Sequence, residues 1–131
     1  MDIERFREYC LSFEGATEKT PFGKFAARFD SVLVFYVCDH MFCMVDMDNF
    51  TYAVVNNTPE KIAELHETRN SVERQRNMSA KYWIQLNFGG DVSDSEILNL
   101  VKQPYEIVKD KYTKKYIKHH SSRQPFQWES K

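Results

Sequence analysis

A basic stretch in the second half of the chain runs directly into two aromatic residues. Its basic residues are Arg74, Arg76 and Lys81, and Lys81 is followed directly by Tyr82 and Trp83. Cations bind nucleic-acid phosphates, and aromatic rings stack on unpaired bases. This mixture predicts a nucleic-acid contact in which Trp83 stacks on a base. The alternative is that Trp83 anchors its strand in the core or at its edge while the three cations stay in solvent.

A second basic cluster lies near the end of the chain. Between Lys109 and Arg123 there are six Lys or Arg residues and a single acid, Asp110. Residues 1–60 carry ten acids and five bases, net −5, whereas residues 61–131 carry nine acids and thirteen bases, net +4. Clustered cations attract polyanions, although many such clusters are simply solvated faces. The predicted nucleic-acid-binding residues are Arg74, Arg76, Lys81, Lys109, Lys111, Lys114, Lys115 and Lys118.

Motifs of other chemistry are missing from the sequence. It has no glycine-rich phosphate loop, no nucleophile elbow and no His-Glu-x-x-His pattern, so we expect no catalytic residue, cofactor or metal site. The three cysteines, Cys10, Cys38 and Cys43, are an odd number, which argues against a disulfide framework. The sequence contains neither a secretion signal nor an apolar run of about 20 residues, so we expect a cytoplasmic protein without membrane contact.

The strands that position these residues are predicted from the alternation of apolar and polar side chains. The stretch from Phe25 to Asn56 is rich in β-branched and aromatic residues and has three turn signals, which predicts an antiparallel meander. Its predicted strands cover residues 25–30, 32–37, 41–46 and 50–55. Residues 71–81 have no clear period and predict a long loop, and residues 82–88 alternate as a fifth strand.

Three helices complete the prediction. Asp2 is a suitable cap for the first, and Thr58 followed by Pro59 is a typical start for the second. Ser93 and Glu96 predict a capping box at the start of the third. The predicted fold is therefore α+β, an antiparallel sheet of about five strands with helices packed on one face, in the order α-β-β-β-β-α-β-α.

The length of 131 residues fits one domain. We assign residues 1–112 to this domain and residues 113–131 to a basic and aromatic C-terminal extension. Pro104 predicts a kink or short break in the third helix, because it lacks the N–H for one helical bond. Phe126 and Trp128 are large apolar groups, so we expect the extension to dock on its own domain or on a second copy.

Several short motifs follow one another along the chain. They are the first helix ending at Gly15, Pro21-Phe22-Gly23, Val34-Phe35-Tyr36-Val37, His40-Met41-Phe42, Thr58-Pro59-Glu60, Asn77-Met78, Lys81-Tyr82-Trp83 and Tyr105-Glu106-Ile107-Val108. Their order and spacing over about residues 2–112 resemble the MmcQ/YjbR family of small bacterial proteins. The resemblance implies a variant of the frataxin (CyaY) fold, with helices on one face of an antiparallel sheet, and a DNA-binding role.

The chain departs from that family at three places. His40 and Asn56 stand where the family usually has Lys, and a family pattern His-Met-Asn-Lys-Lys-His-Trp becomes residues 77–83 here. One alternative to DNA binding is a module without catalytic activity that binds a small ligand or a protein, including a second copy through the tail. Another is a metal handler like frataxin, but the first helix dilutes its acids Asp2, Glu4 and Glu8 with Arg5 and Arg7.

Overall fold

A computed structural model describes residues 1–20, 31–74 and 78–120, with side chains described up to Thr113. The helices in these ranges are α1 (Ile3–Leu11), α2 (Pro59–Thr68) and α3 (Asp94–His120). The strands are β1 (Thr17–Lys19), β2 (Val32–Val37), β3 (His40–Asp46), β4 (Tyr52–Asn56), β5 (Val72–Arg74) and β6 (Trp83–Asn87). Within the described ranges, no helix is both long and apolar enough to cross a bilayer.

Each helix begins at the side-chain oxygen that the sequence predicts as its cap. Asp2 Oδ1, Thr58 Oγ1 and Ser93 Oγ accept hydrogen bonds from the backbone N–H three residues later, at 2.8, 3.2 and 3.2 Å. Glu96 does not complete the predicted capping box. Its carboxylate instead accepts a hydrogen bond from Arg69 at 2.8 Å, which ties the start of α3 to the end of α2.

The strands form one antiparallel sheet in the order β1-β2-β3-β4-β6-β5. Its register aligns one row of buried side chains across five strands: Leu33, Val45, Ala53, Leu86 and Val72. Because alternate residues of a strand point to opposite faces, this row defines the face that the helices cover. The predicted α+β class is confirmed, with six strands instead of about five.

The core lies between that face and the helices. Phe6 and Cys10 of α1, together with Ile97 and Val101 of α3, are almost completely buried in the same cluster as the sheet row. Burying a large apolar side chain stabilises a fold by about 1.5–3 kcal/mol. The helices are therefore held on the sheet chiefly by apolar burial.

The sequence does not predict β1 or β5. Both strands have only three residues, which is too short for alternation to be visible, and both form through pairing with a longer neighbour. The β5 strand falls inside residues 71–81, which the sequence predicts as loop. The strand predicted over residues 25–30 lies outside the described residues.

The sequence predicts a kink or a short break at Pro104, and of these two the structure excludes the break, because α3 is continuous from Asp94 to His120. Proline inside a helix costs about 3 kcal/mol. Here Pro104 is itself buried, and Val101 and Tyr105 are buried beside it, so packing on the sheet offsets the missing hydrogen bond. The same continuity places residue 112, the predicted domain boundary, inside a helix.

Candidate functional site

A cleft of about 650 Å³ opens where β3 begins, β4 ends and β6 begins, beside the middle of α3. We call it the aromatic cleft, because four of the side chains that line it are aromatic rings. Besides these rings it presents amide groups, one cation and the first residues of α2. Its principal lining residues are His40, Asn56, Tyr82, Trp83, Lys111 and Tyr112.

One wall of the aromatic cleft is a pair of stacked rings. His40 and Tyr112 have ring centroids 3.5 Å apart and planes only 9° from parallel. The Lys111 ammonium lies 5.3 Å from the Tyr112 centroid, within the range of a cation–π contact. Beside them, the sulfur of Cys38 lies 3.8 Å from the hydroxyl of Thr113. These contacts attach the turn between β2 and β3 to α3.

The opposite wall carries the two aromatic residues singled out in the sequence. Tyr82 is 48% exposed, which makes it one of the most exposed large hydrophobic side chains among the described residues. Trp83 is half-buried and is not a member of the core cluster. The indole therefore lines the cleft, a position that is compatible with stacking on a ligand and also with an anchor at the edge of the core.

Two amides lie at the end of β4. Asn57 is buried and fully engaged: its Nδ2 donates to Gln103 at 3.1 Å, and its Oδ1 accepts from the backbone N–H of Thr58 at 2.8 Å. Asn56 differs, because its buried Oδ1 has no hydrogen-bond donor among the described residues. A buried acceptor without a donor costs about 1–3 kcal/mol.

A second cavity, of about 490 Å³, adjoins the aromatic cleft at Pro59, which lines both. We call it the basic pocket. Its ionisable lining residues are His66 from α2, Arg74 from the end of β5 and Lys81 from the segment before β6. No acid lines it among the described residues. Pro59 therefore separates an aromatic compartment from a basic one.

The described cations fall into two groups. Those of the first group have a carboxylate within 4.0 Å: Arg5, Arg7, Lys61, Arg69 and Lys109. Those of the second group have no ion pair of that kind within the described ranges: Lys19, Arg74, Lys81, Lys102 and Lys111. Three members of the second group line the aromatic cleft or the basic pocket. Unpaired cations are therefore concentrated where a polyanion could use them.

The structure divides the predicted nucleic-acid-binding residues. Arg74 and Lys81 lie at the basic pocket and Lys111 at the aromatic cleft. Lys109 instead pairs with Glu14 at 3.2 Å. Its pKa is raised, first by the hydrogen bond with Tyr105 and then by Glu14, so this cation serves the fold. The others are not described at the side-chain level: Arg76 lies outside the described residues, and Lys114, Lys115 and Lys118 are described only as helical backbone of α3.

Sequence reasoning did not predict His66 or Tyr112 as site residues, and it singled out His40 only as a departure from the family pattern. The stack of His40 on Tyr112 joins positions that are far apart in the chain, and no local pattern predicts such a contact. His66 joins Arg74 and Lys81 only because β5 lies beside β6 and behind α2. The sequence showed only that His66 lies on the helix that begins after Thr58. That position does not indicate which residues lie beside it.

Two arginines of α1 pair with nearby acids. Arg5 lies 3.6 Å from Asp2, and Arg7 donates to Glu18 of β1 at 2.9 Å. The Arg7 hydrogen bond lowers the pKa of Glu18, which keeps that carboxylate engaged with its partner. No group of three or more His, Cys, Asp or Glu side chains that could hold a metal occurs in the described part of the chain.

The chain was compared with known proteins. The family model YjbR matches residues 11–107. Comparison with curated proteins finds no match. A Deinococcus radiodurans crystal structure with a DUF419 domain is 21% identical, with a TM-score of 0.73, covering 84% of this chain and 80% of that one.

A crystal structure of a Pseudomonas syringae protein is 17% identical, with a TM-score of 0.64, covering 82% of this chain and 98% of that chain. A solution NMR structure, also from Pseudomonas syringae, gives 17% identity and a TM-score of 0.61, with 82% and 92% coverage. At these identities the similarity supports the fold and carries no functional assignment.

Proposed function

We propose that this chain, which belongs to the YjbR family, is a cytoplasmic module without catalytic activity that binds single-stranded nucleic acid, DNA in the first instance. The family match confirms the resemblance seen in the short sequence motifs. The observation that carries the functional proposal is the aromatic cleft with the adjoining basic pocket, where aromatic rings lie near three cations that have no ion pair among the described residues.

The first step of the argument concerns the bases. Tyr82 and Trp83 reach the aromatic cleft without being sealed in the core, and the cleft is large enough for a planar heterocycle. Stacking on an aromatic side chain stabilises single-strand binding by about 1–3 kcal/mol per base.

The second step concerns the phosphates. Lys111 on one side of the cleft, and Lys81 and Arg74 beyond Pro59, have no carboxylate partner among the described residues. A chain of net charge −1 attracts a polyanion only through local clusters of this kind. A duplex keeps its bases stacked inside, so the aromatic cleft favours a single strand over a duplex.

The test is a titration of a fluorescent single strand of about 12 nucleotides, followed by anisotropy, with the matched duplex in parallel. With three phosphate contacts at about −0.7 each, log affinity should fall with log salt at a slope near −2. Lys111→Ala should reduce the slope by about 0.7. Lys102→Ala is the control. Lys102 is exposed on α3, but it lies nine residues before Lys111 and therefore on about the opposite side of the helix.

The proposal fails if neither the single strand nor the duplex binds at about 50 mM salt, where phosphate contacts are strongest. It also fails if Lys102→Ala and Lys111→Ala weaken binding equally, because binding would then reflect overall charge rather than the cleft.

A second candidate function is binding of a small ligand or a protein. The observation that favours it is Ile107, which lines the same cleft and is 38% exposed, beside Met41. Apolar lining of this kind suits a partner that has few charges. The affinity for such a partner should not depend on salt. A titration with salt therefore distinguishes it from nucleic acid. The predicted dimer contact through the tail lies outside the described residues.

A further inference from the structure

The basic pocket differs in geometry from a phosphate-tracking groove. Arg74, Lys81 and His66 converge on one cavity from three different elements, instead of following one another along a strand or helix. We infer that the basic pocket binds a phosphate monoester, and that it recognises the phosphorylated end of a single strand. This inference deepens the proposed function and in part rests on it.

Apolar residues line the basic pocket beside its charges. They are Pro59, Ala63, Ala80 and Ile62, of which Ile62 is only 3% exposed. The cations Arg74 and Lys81 are exposed to solvent, which leaves both accessible to a charged ligand.

The number of charges favours a monoester over a diester. A phosphate inside a nucleic-acid chain carries one negative charge, whereas a phosphate monoester carries about 1.5–2 at neutral pH and has three acceptor oxygens. The pocket offers two permanent cations to one group. An arginine can hold two oxygens of a phosphate in a bidentate fashion, and the lysine and the His66 ring can reach the third.

The position of the pocket explains why the phosphate should be terminal. Pro59 lines both cavities, so a phosphate in the basic pocket lies next to a base in the aromatic cleft. The rest of the strand then continues along the cleft toward Lys111. A monoester exists only at an end of the strand, so the pocket would fix the strand by its end.

The experiment compares three single strands of about 12 nucleotides with the same sequence: one with a 5′ phosphate, one with a 3′ phosphate and one with neither. We expect one phosphorylated strand to bind about tenfold more tightly than the strand with hydroxyl ends, the size of a charge-assisted hydrogen bond. The double variant Arg74→Ala with Lys81→Ala should abolish this preference. His66→Ala should reduce it. Lys102→Ala, outside both cavities, should leave it unchanged.

Direct titration with inorganic phosphate and with deoxyadenosine monophosphate separates the sources of the phosphate. If no strand binds but the monophosphate binds wild type and not the double variant, the monoester site stands, whereas the proposed function fails and the recognition of a strand end fails with it. If strands bind wild type equally whatever their ends, the pocket inference is overturned and the proposed function stands. A preference that survives in the double variant likewise overturns the inference, because it would arise elsewhere.

Discussion

The chain uses aromatic side chains in two ways, in a closed cluster and in an open cleft. In the closed cluster between the sheet and the helices, the Phe13 and Phe42 rings lie 4.6 and 5.6 Å from that of Tyr105. Phe42 is fully buried. In the aromatic cleft, by contrast, Tyr82 is about half exposed, and the contact over its ring is the Lys81 ammonium, at 5.6 Å.

The difference shows that the role of an aromatic ring depends on the groups that pack against it and not on its residue type. Rings that pack on other rings gain about 0.5–1.5 kcal/mol beyond their burial, and all of it stabilises the fold. An exposed cation–π contact is worth about 0.5–1 kcal/mol, and a ligand can replace or extend it. Substitutions in the closed cluster should therefore cost stability, whereas substitutions in the cleft should cost binding.

The largest expected effect is that of Phe42→Ala. Removing a fully buried ring leaves a cavity beside Tyr105 and should lower the free energy of unfolding by about 3–5 kcal/mol. Chemical denaturation followed by circular dichroism measures it. The matched aromatic control is Tyr82→Ala, which removes an exposed ring and should change the free energy of unfolding by only about 0.5 kcal/mol. Equal losses in the two variants would contradict the distinction between the two regions.

A smaller effect on stability, with a larger one on binding, is expected for Trp83→Ala. The indole is half-buried at the edge of the aromatic cleft, so its removal should destabilise the fold less than Phe42→Ala. Single-strand affinity should fall by about 1–3 kcal/mol, the contribution of one stacked base. Denaturation and anisotropy on the same preparation separate the two. A loss of stability like that of Phe42→Ala, without a specific loss of affinity, would place Trp83 in the core.

Much of the fold could be predicted, because local signals agree with the tertiary structure. The caps Asp2, Thr58 and Ser93 form their predicted hydrogen bonds, since a cap depends only on residues within one turn. Local signals were insufficient where packing against distant residues decides the structure. At Pro104, burial against the sheet offsets the cost of a proline inside a helix. The Glu96 carboxylate accepts a hydrogen bond from Arg69 instead of capping its own helix.

The candidate site was predictable only in part, for the same reason. Lys81 is followed directly by Tyr82 and Trp83, so a basic and aromatic combination was visible. The sequence could not show that Lys109 is occupied by Glu14 while Lys111 faces a cleft, because that depends on what lies against each side of α3. Nor could it show that His66 lines the same pocket as Arg74, because β5 is too short to be recognised.

The comparison extends to the edge of the sheet that carries the basic pocket. The β5 strand, which ends at Arg74, is fixed at its start by one exposed carboxylate. Asp91 accepts hydrogen bonds from the hydroxyl and the backbone N–H of Ser71, at 2.6 and 2.9 Å, and from the backbone N–H of Asn70 at 2.7 Å. Gly90 permits this approach, because a Cβ there would lie 2.3 Å from the Cβ of Ser71. This edge therefore depends on charge, whereas the closed cluster does not.

The smallest expected effect follows from that carboxylate and depends on pH. The Ser71 hydroxyl, and then the Asn70 N–H, lower the pKa of Asp91 from its ordinary value of 3.8 to about 2. Because the folded pKa is depressed, the stabilisation by Asp91 is fully present above pH 3.8 and is lost as the pH falls through about 2. Asp91→Asn should lower Tm slightly at neutral pH, and thermal melts of both proteins should converge near pH 2. The Tm difference caused by Phe42→Ala should show no such convergence, since no charge is removed there. A constant Asp91→Asn difference down to pH 2 would show that this carboxylate does not hold the edge.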